Sequence, residues 1–166
     1  GVVEATLSPE LNMKQIQPLA KNSPLPLTCI VHGRLELMVS EYCVTGSFLG
    51  GNDEGLCSQP CLKGKYALKD RKEALFPLAM DQFCHMHVLN SKILSMLPHA
   101  MKFKAMGVGT LRVEGKAMNE GEIRHIVKAY HHAMTMPATL DEVQENWIRE
   151  QEGSEITRGH YFRGVL

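Results

Sequence analysis

The stretch that decides the fold is Val2-Val3-Glu4-Ala5-Thr6-Leu7-Ser8-Pro9-Glu10, together with the apolar run Leu27-Thr28-Cys29-Ile30-Val31 that follows it. Val2 to Leu7 reads as a short strand. Ser8-Pro9-Glu10 reads as a helix start, with Ser at the cap, Pro in the first turn and an acid beside it. Leu11, Ile16, Leu19 and Ala20 then supply an apolar helical face, and Asn22-Ser23-Pro24 ends it. Two strands joined through a helix form a βαβ unit with parallel strands.

Working outward, His32-Gly33-Arg34 interrupts the second run, and Leu35 to Val39 continues extended. The segment from Glu41 to Cys61 is too polar and Gly-rich for regular structure. Lys65–Lys69 and Phe76–Met80 predict a hairpin across Asp70-Arg71-Lys72-Glu73, and Cys84–Leu89 a further extended piece. Asn90-Ser91 predicts a cap for a helix over Ile93–Met106, which Pro98 would kink and Gly107 would close. Val108–Val113 predicts a third core strand. Asn119 caps an amphipathic helix with an inward face of Ile123, Ile126, Val127, Tyr130 and Met134, and a polar helix from Leu140 to about Glu150 follows. Alternation of this kind is α/β with a parallel sheet. The chain divides into a βαβ part (1–40), a cysteine-rich insert (41–92) and an α/β/α part with its tail (93–166).

The 166 residues carry 18 basic and 18 acidic side chains, so the chain as a whole lacks a nucleic-acid or polybasic membrane signature. No apolar run reaches the length of a membrane span and no signal peptide is visible, which predicts a cytoplasmic protein with reduced thiols. The opening Gly1-Val2-Val3 predicts a piece of something longer. Three core strands leave edges and apolar faces that invite a homodimer.

Cys43, Cys57, Cys61 and Cys84 surround the polar stretch, with 13 residues between the first two. Thiolates gather in a loop for a soft metal, an iron–sulfur cluster, a disulfide or redox chemistry. Cys29, between Thr28 and Ile30, reads as core. His85 and His87 are two apart and share a strand face, where both imidazoles can meet one metal or substrate. Glu114 and Lys116 follow an apolar strand, and Arg112 shares a side with Glu114. These make an acid/base or substrate clamp, joined by Asp81. The candidate catalytic residues are therefore Glu114, Lys116, Asp81 and His87. The tail residues His160, Tyr161 and Arg163 suit stacking on a base or an aromatic substrate. No His-Glu-x-x-His or Gly-x-Ser-x-Gly motif is present.

Several motifs fall in order: His32-Gly33-Arg34 with Ser40-Glu41-Tyr42-Cys43; Cys57-x-x-Pro60-Cys61 with Gly64-Lys65-Tyr66 and Leu68-Lys69-Asp70-Arg71; Phe76-Pro77-Leu78 with Asp81, Cys84, His87 and Asn90-Ser91-Lys92; Leu111-Arg112-Val113-Glu114-Gly115-Lys116; and Arg158-Gly159-His160-Tyr161-Phe162-Arg163-Gly164. Together they resemble the collagenase-like peptidases, family 32 among peptidases of unknown catalytic type. The resemblance implies the last three β/α units of a TIM-like barrel with a cysteine loop and hairpin insert, its partner being the missing N-terminal half. It implies a peptidase acting on protein or, alternatively, an iron–sulfur protein needed to hydroxylate RNA bases or ubiquinone precursors. In that second branch a four-iron cluster sits on four cysteines. Cys43, Cys57 and Cys84 fall about where its ligands lie, and Cys61 stands in for a cysteine which that branch carries near the Glu36 position. The expected metal ligands are thus Cys43, Cys57, Cys61 and Cys84, for a cluster or zinc that this piece alone need not retain. The expected substrate-binding residues are Arg112, His160 and Arg163.

Overall fold

The computed structural model describes residues 1–51, 57–135, 146 and 156–163. The helix expected over Leu140–Glu150 lies outside the described residues, Asn146 apart. The chain forms two compact units, Gly1–Gly33 with Lys92–Leu166, and Arg34–Ser91. The architecture is mixed α/β, with one sheet in each unit.

In the first unit β2 (Leu27–Gly33) is the central strand, buried along almost its whole length as parallel strands are. β1 (Ala5–Thr6) pairs with it in parallel, Ala5 opposite Leu27. β8 (Thr110–Glu114) also runs parallel to it, from Thr28 opposite Thr110 to Gly33 opposite Glu114, with a register shift between Ile30 and His32. The expected parallel βαβ pairing is therefore present. Its first strand is shorter than expected, since Val2 and Val3 are exposed.

The helix after β1 starts later than Ser8-Pro9-Glu10 suggested. α1 (Met13–Asn22) is capped by Asn12, whose side chain accepts the Gln15 amide at 3.1 Å while the Gln15 side chain accepts the Asn12 amide at 3.0 Å. That reciprocal pair satisfies two end donors, whereas the Ser8 hydroxyl accepts the Glu10 amide, ahead of the helix. Ile16 is fully buried but Leu19 is 44% exposed, so the inward face is narrower than expected.

The expected helix over Ile93–Met106 is three elements. β7 (Ile93–Ser95) pairs antiparallel with the end of β2, a 3-10 turn covers Leu97–His99, and α3 covers Ala100–Met106. Asn90 and Ser91 do not cap a helix, because the segment that follows them is strand β7; the Arg34 guanidinium donates to both their carbonyls at 2.9 and 2.6 Å. Gly107 closes α3 in the left-handed conformation, φ +93°, as expected. α4 (Glu120–Thr135) has the expected Asn119 cap, which accepts the Glu122 amide at 3.0 Å. Its buried face is Ile126, Ala129, Tyr130 and Ala133, the i, i+3, i+4, i+7 stripe. Val127 is one residue off that stripe and half exposed, so its expected place on the inward face is corrected. β9 (Ile156–Thr157) runs parallel to β7.

The second unit is an antiparallel sheet in the order β3-β6-β5-β4. β3 is Glu36–Ser40, β6 is Met86–Leu89, and the expected hairpin is β4 (Tyr66–Lys69) with β5 (Leu75–Met80). Asp70 closes the hairpin by accepting the Lys72 and Ala74 amides at 2.7 and 2.9 Å. The cysteine stretch, expected to lack regular structure, contains α2 (Val44–Leu49) and a 3-10 turn at Pro60–Leu62. That helix is capped by the Cys43 side chain, which accepts the Gly46 amide. Among the described residues, no helix is long and apolar enough to cross a membrane.

Candidate functional site

Cys43 sits at the cap of α2, where its Sγ accepts the Gly46 amide at 3.3 Å and lies 3.3 Å from Thr45 Oγ1. Gly46 shows why the helix is glycine-rich: the point its Cβ would occupy is 3.4 Å from both Cys43 Sγ and Cys57 Sγ. The corresponding point on Gly50 is 3.1 Å from Cys57 Sγ. The Ser58 amide donates to the Gly50 carbonyl at 3.0 Å, which pins the chain next to Cys57 onto the end of α2. The Pro60–Leu62 turn carrying Cys61 packs against the same helix. Cys84 occupies a turn in the left-handed conformation, φ +62°, with its amide donating to the Asp81 carbonyl at 3.1 Å. All five cysteines are free thiols. Cys29 is buried in β2, and burial pushes its thiol up to about 11.

The donor chemistry suits a soft metal or cluster: several unbridged thiols share one glycine-faced turn. Two of the sulfurs line Gly46 and a third is carried by an element packed beside that helix. Among the described residues, however, no three His, Cys, Asp or Glu side chains are gathered into a group able to hold a metal ion.

A second cluster in the same unit joins acids and imidazoles. Asp81 Oδ1 accepts the Phe83 and His85 amides at 2.8 and 2.9 Å. Its Oδ2 lies 3.1 Å from His85 Nδ1 and 3.4 Å from His87 Nε2, so both histidines face one carboxylate. Desolvation works against the Asp81 charge, but the two amides and two imidazoles outweigh it and hold its carboxyl down at about 2. His87 Nδ1 lies 2.6 Å from Glu36 Oε2. Sequence reading missed Glu36. β3 and β6 place Val39 opposite His87 and Glu36 opposite Leu89, a diagonal within reach on one sheet face. An acid between Leu35 and Leu37 was the one signal in the sequence.

In the first unit, Glu114 ends β8 beside Gly33, and Arg112 Nη2 lies 2.5 Å from Glu114 Oε1. The pair is lopsided: the Arg112 side chain is 51% exposed and that of Glu114 only 13%. Lys116 follows in the turn before α4. In the tail, Tyr161 is buried and donates its hydroxyl to the Ile30 carbonyl at 2.5 Å. Phe162 packs edge-on to His99, with Lys102 Nζ 5.3 Å from its ring centre. His160 lies half-buried in this turn and Arg163 is exposed. Thus the candidates split: Arg112, Glu114, Lys116, His160 and Arg163 belong to one unit, and the thiols, Asp81 and His87 to the other.

These features define a mixed α/β protein with a parallel strand, β8, that ends in Glu114, and a second unit that carries free thiols. The chain belongs to peptidase family U32, whose family model matches residues 1–164. No curated protein and no solved structure matches it.

Proposed function

We propose that this chain is the thiol-bearing part of an iron–sulfur member of its family, serving the hydroxylation of RNA bases or ubiquinone precursors. The observation that carries this reading is the turn around Gly46 and Gly50: Cys43 Sγ and Cys57 Sγ each lie 3.4 Å from the Cβ point of Gly46, and the turn carrying Cys61 packs against the same helix. Cys43, Cys57, Cys61 and Cys84 would hold the cluster, Cys84 closing in from the Asp81 turn. When bound, the cluster supplies one-electron redox chemistry. The chain's own part is to hold its thiolates unbridged. The parallel set β1, β2 and β8 is what three β/α units of a TIM-like barrel would supply. In such a barrel the strand ends carry the reactive groups, here Arg112, Glu114 and Lys116. His160 and Arg163 are the proposed substrate contacts of the tail. The test is the ultraviolet–visible spectrum with iron and sulfide content of protein purified without oxygen. Colourless, iron-free protein under those conditions overturns the reading.

A peptidase is the second reading, favoured by His87 lying between the Glu36 and Asp81 carboxylates. An imidazole oriented at Nδ1 by an acid is a general acid/base arrangement. Hydrolysis of denatured collagen by the purified chain is its measure, and no hydrolysis above buffer ends it.

A further inference from the structure

We propose that Cys43 and Cys57 form a reversible disulfide when the protein meets a peroxide. The juxtaposition is set by two missing side chains. Each sulfur lies 3.4 Å from the Cβ point of Gly46, so the two can be no further apart than twice that distance. Cys43 is held in place by the Gly46 amide and Thr45, and Cys57 by the Ser58–Gly50 hydrogen bond next to it. Cys57 is exposed, so an oxidant reaches it first, and Cys43 is partly covered behind it. A disulfide needs its two Cα atoms within about 7 Å. Two thiols lining one glycine would reach each other by side-chain rotation and a shift of the Cys57 segment.

The chemistry balances with one peroxide. The Cys57 sulfur attacks the O–O bond of hydrogen peroxide, giving a sulfenic acid and one water. The Cys43 sulfur then attacks the Cys57 sulfur, its proton leaves with the departing hydroxide as a second water, and the S–S bond forms. Two thiols are oxidised by two electrons and the peroxide is reduced by two. A dithiol reverses the step by exchange. This inference rests on the packing around Gly46 and not on the iron–sulfur reading, and it is read by mass rather than by iron.

The full chain, reduced and treated with chelator, is exposed to equimolar hydrogen peroxide, alkylated and mapped by peptide mass. The expected product is lighter by two hydrogens, links the Cys43 and Cys57 peptides, and returns to free thiols with dithiothreitol. Cys43→Ser should leave Cys57 as a sulfenic acid that a dimedone probe traps. A bond from Cys57 to Cys61 or Cys84, or wild-type protein whose Cys43 stays a free thiol, overturns the proposal. A chain that never binds iron yet forms the expected bond would end the proposed function alone.

Discussion

Tyr130 donates its hydroxyl to the Val31 carbonyl at 2.7 Å, joining α4 to the central strand at the point where β2 slips register against β8. The Met96 amide donates to the same hydroxyl at 3.0 Å. One residue earlier on the strand, Ile30 receives the Tyr161 hydroxyl. A register shift interrupts the ladder, and two tyrosines supply donors to adjacent carbonyls there. Tyr130→Phe and Tyr161→Phe should each cost about 1 kcal/mol, the usual net value of a buried hydrogen bond. Urea unfolding of each variant measures this. Unchanged midpoints would show that these bonds contribute nothing.

Gly33 has φ +113°, and a Cβ there would overlap the backbone carbonyl oxygen of Glu114. Gly33→Ala combines backbone strain with a clash against a paired strand, and should cost at least about 3 kcal/mol. Gly107 is the contrast. Its φ is also positive, but its nearest contacts would be 3.8 and 4.0 Å away. Gly107→Ala should cost only about 1 kcal/mol. Thermal midpoints of the two variants should therefore separate clearly, and equal shifts would refute the close approach.

Asp81 makes the second unit sensitive to acid. Its folded-state pKa is lowered from the ordinary 3.8 to about 2. The stabilisation it gives is therefore fully present above about pH 4 and is lost as pH falls through 4 towards 2. Asp81→Asn should be less stable than wild type at neutral pH, with the gap narrowing below pH 4. Unfolding by urea at pH 7, 4 and 2.5 reads the difference. A constant gap would show that the carboxylate charge is not what the His85 and Phe83 amides hold.

Legibility in the sequence followed how local each feature is. The parallel pairing of β1, β2 and β8 was readable because Val2–Leu7, Leu27–Val31 and Val108–Val113 are runs of strand length with helical patterns between them. The Asn119 cap and Gly107 were readable because their partners lie within four residues. Ile93-Leu94-Ser95 was read as helix because an apolar run of that length suits either state. Its pairing with β2, some sixty residues away, decides for strand. The thiols announced themselves by type, but the room that Cys43 and Cys57 share depends on Gly46 having no side chain. Glu36 stands 51 residues from His87 in sequence, and only the β3–β6 register joins them.

The two functional readings separate by which substitutions matter. An iron–sulfur cluster needs its thiolates together, so Cys57→Ala or Cys61→Ala should remove colour and iron in one step. Peptide hydrolysis should then be absent from wild type and from every variant. A hydrolytic acid/base works without thiolates, so under the peptidase reading His87→Ala or Glu114→Ala should lower hydrolysis by about 10²-fold or more, while the cysteine variants act only through stability. Glu36→Gln sharpens the comparison. It keeps the size of the side chain and removes the carboxylate that faces His87 Nδ1 at 2.6 Å. If His87 moves protons, Glu36→Gln should displace the acidic limb of the pH–rate profile. If His87 only ties β3 to β6, that variant should lose stability with the profile of any residual activity unmoved. Iron retained in full by both cysteine variants would exclude Cys57 and Cys61 as ligands.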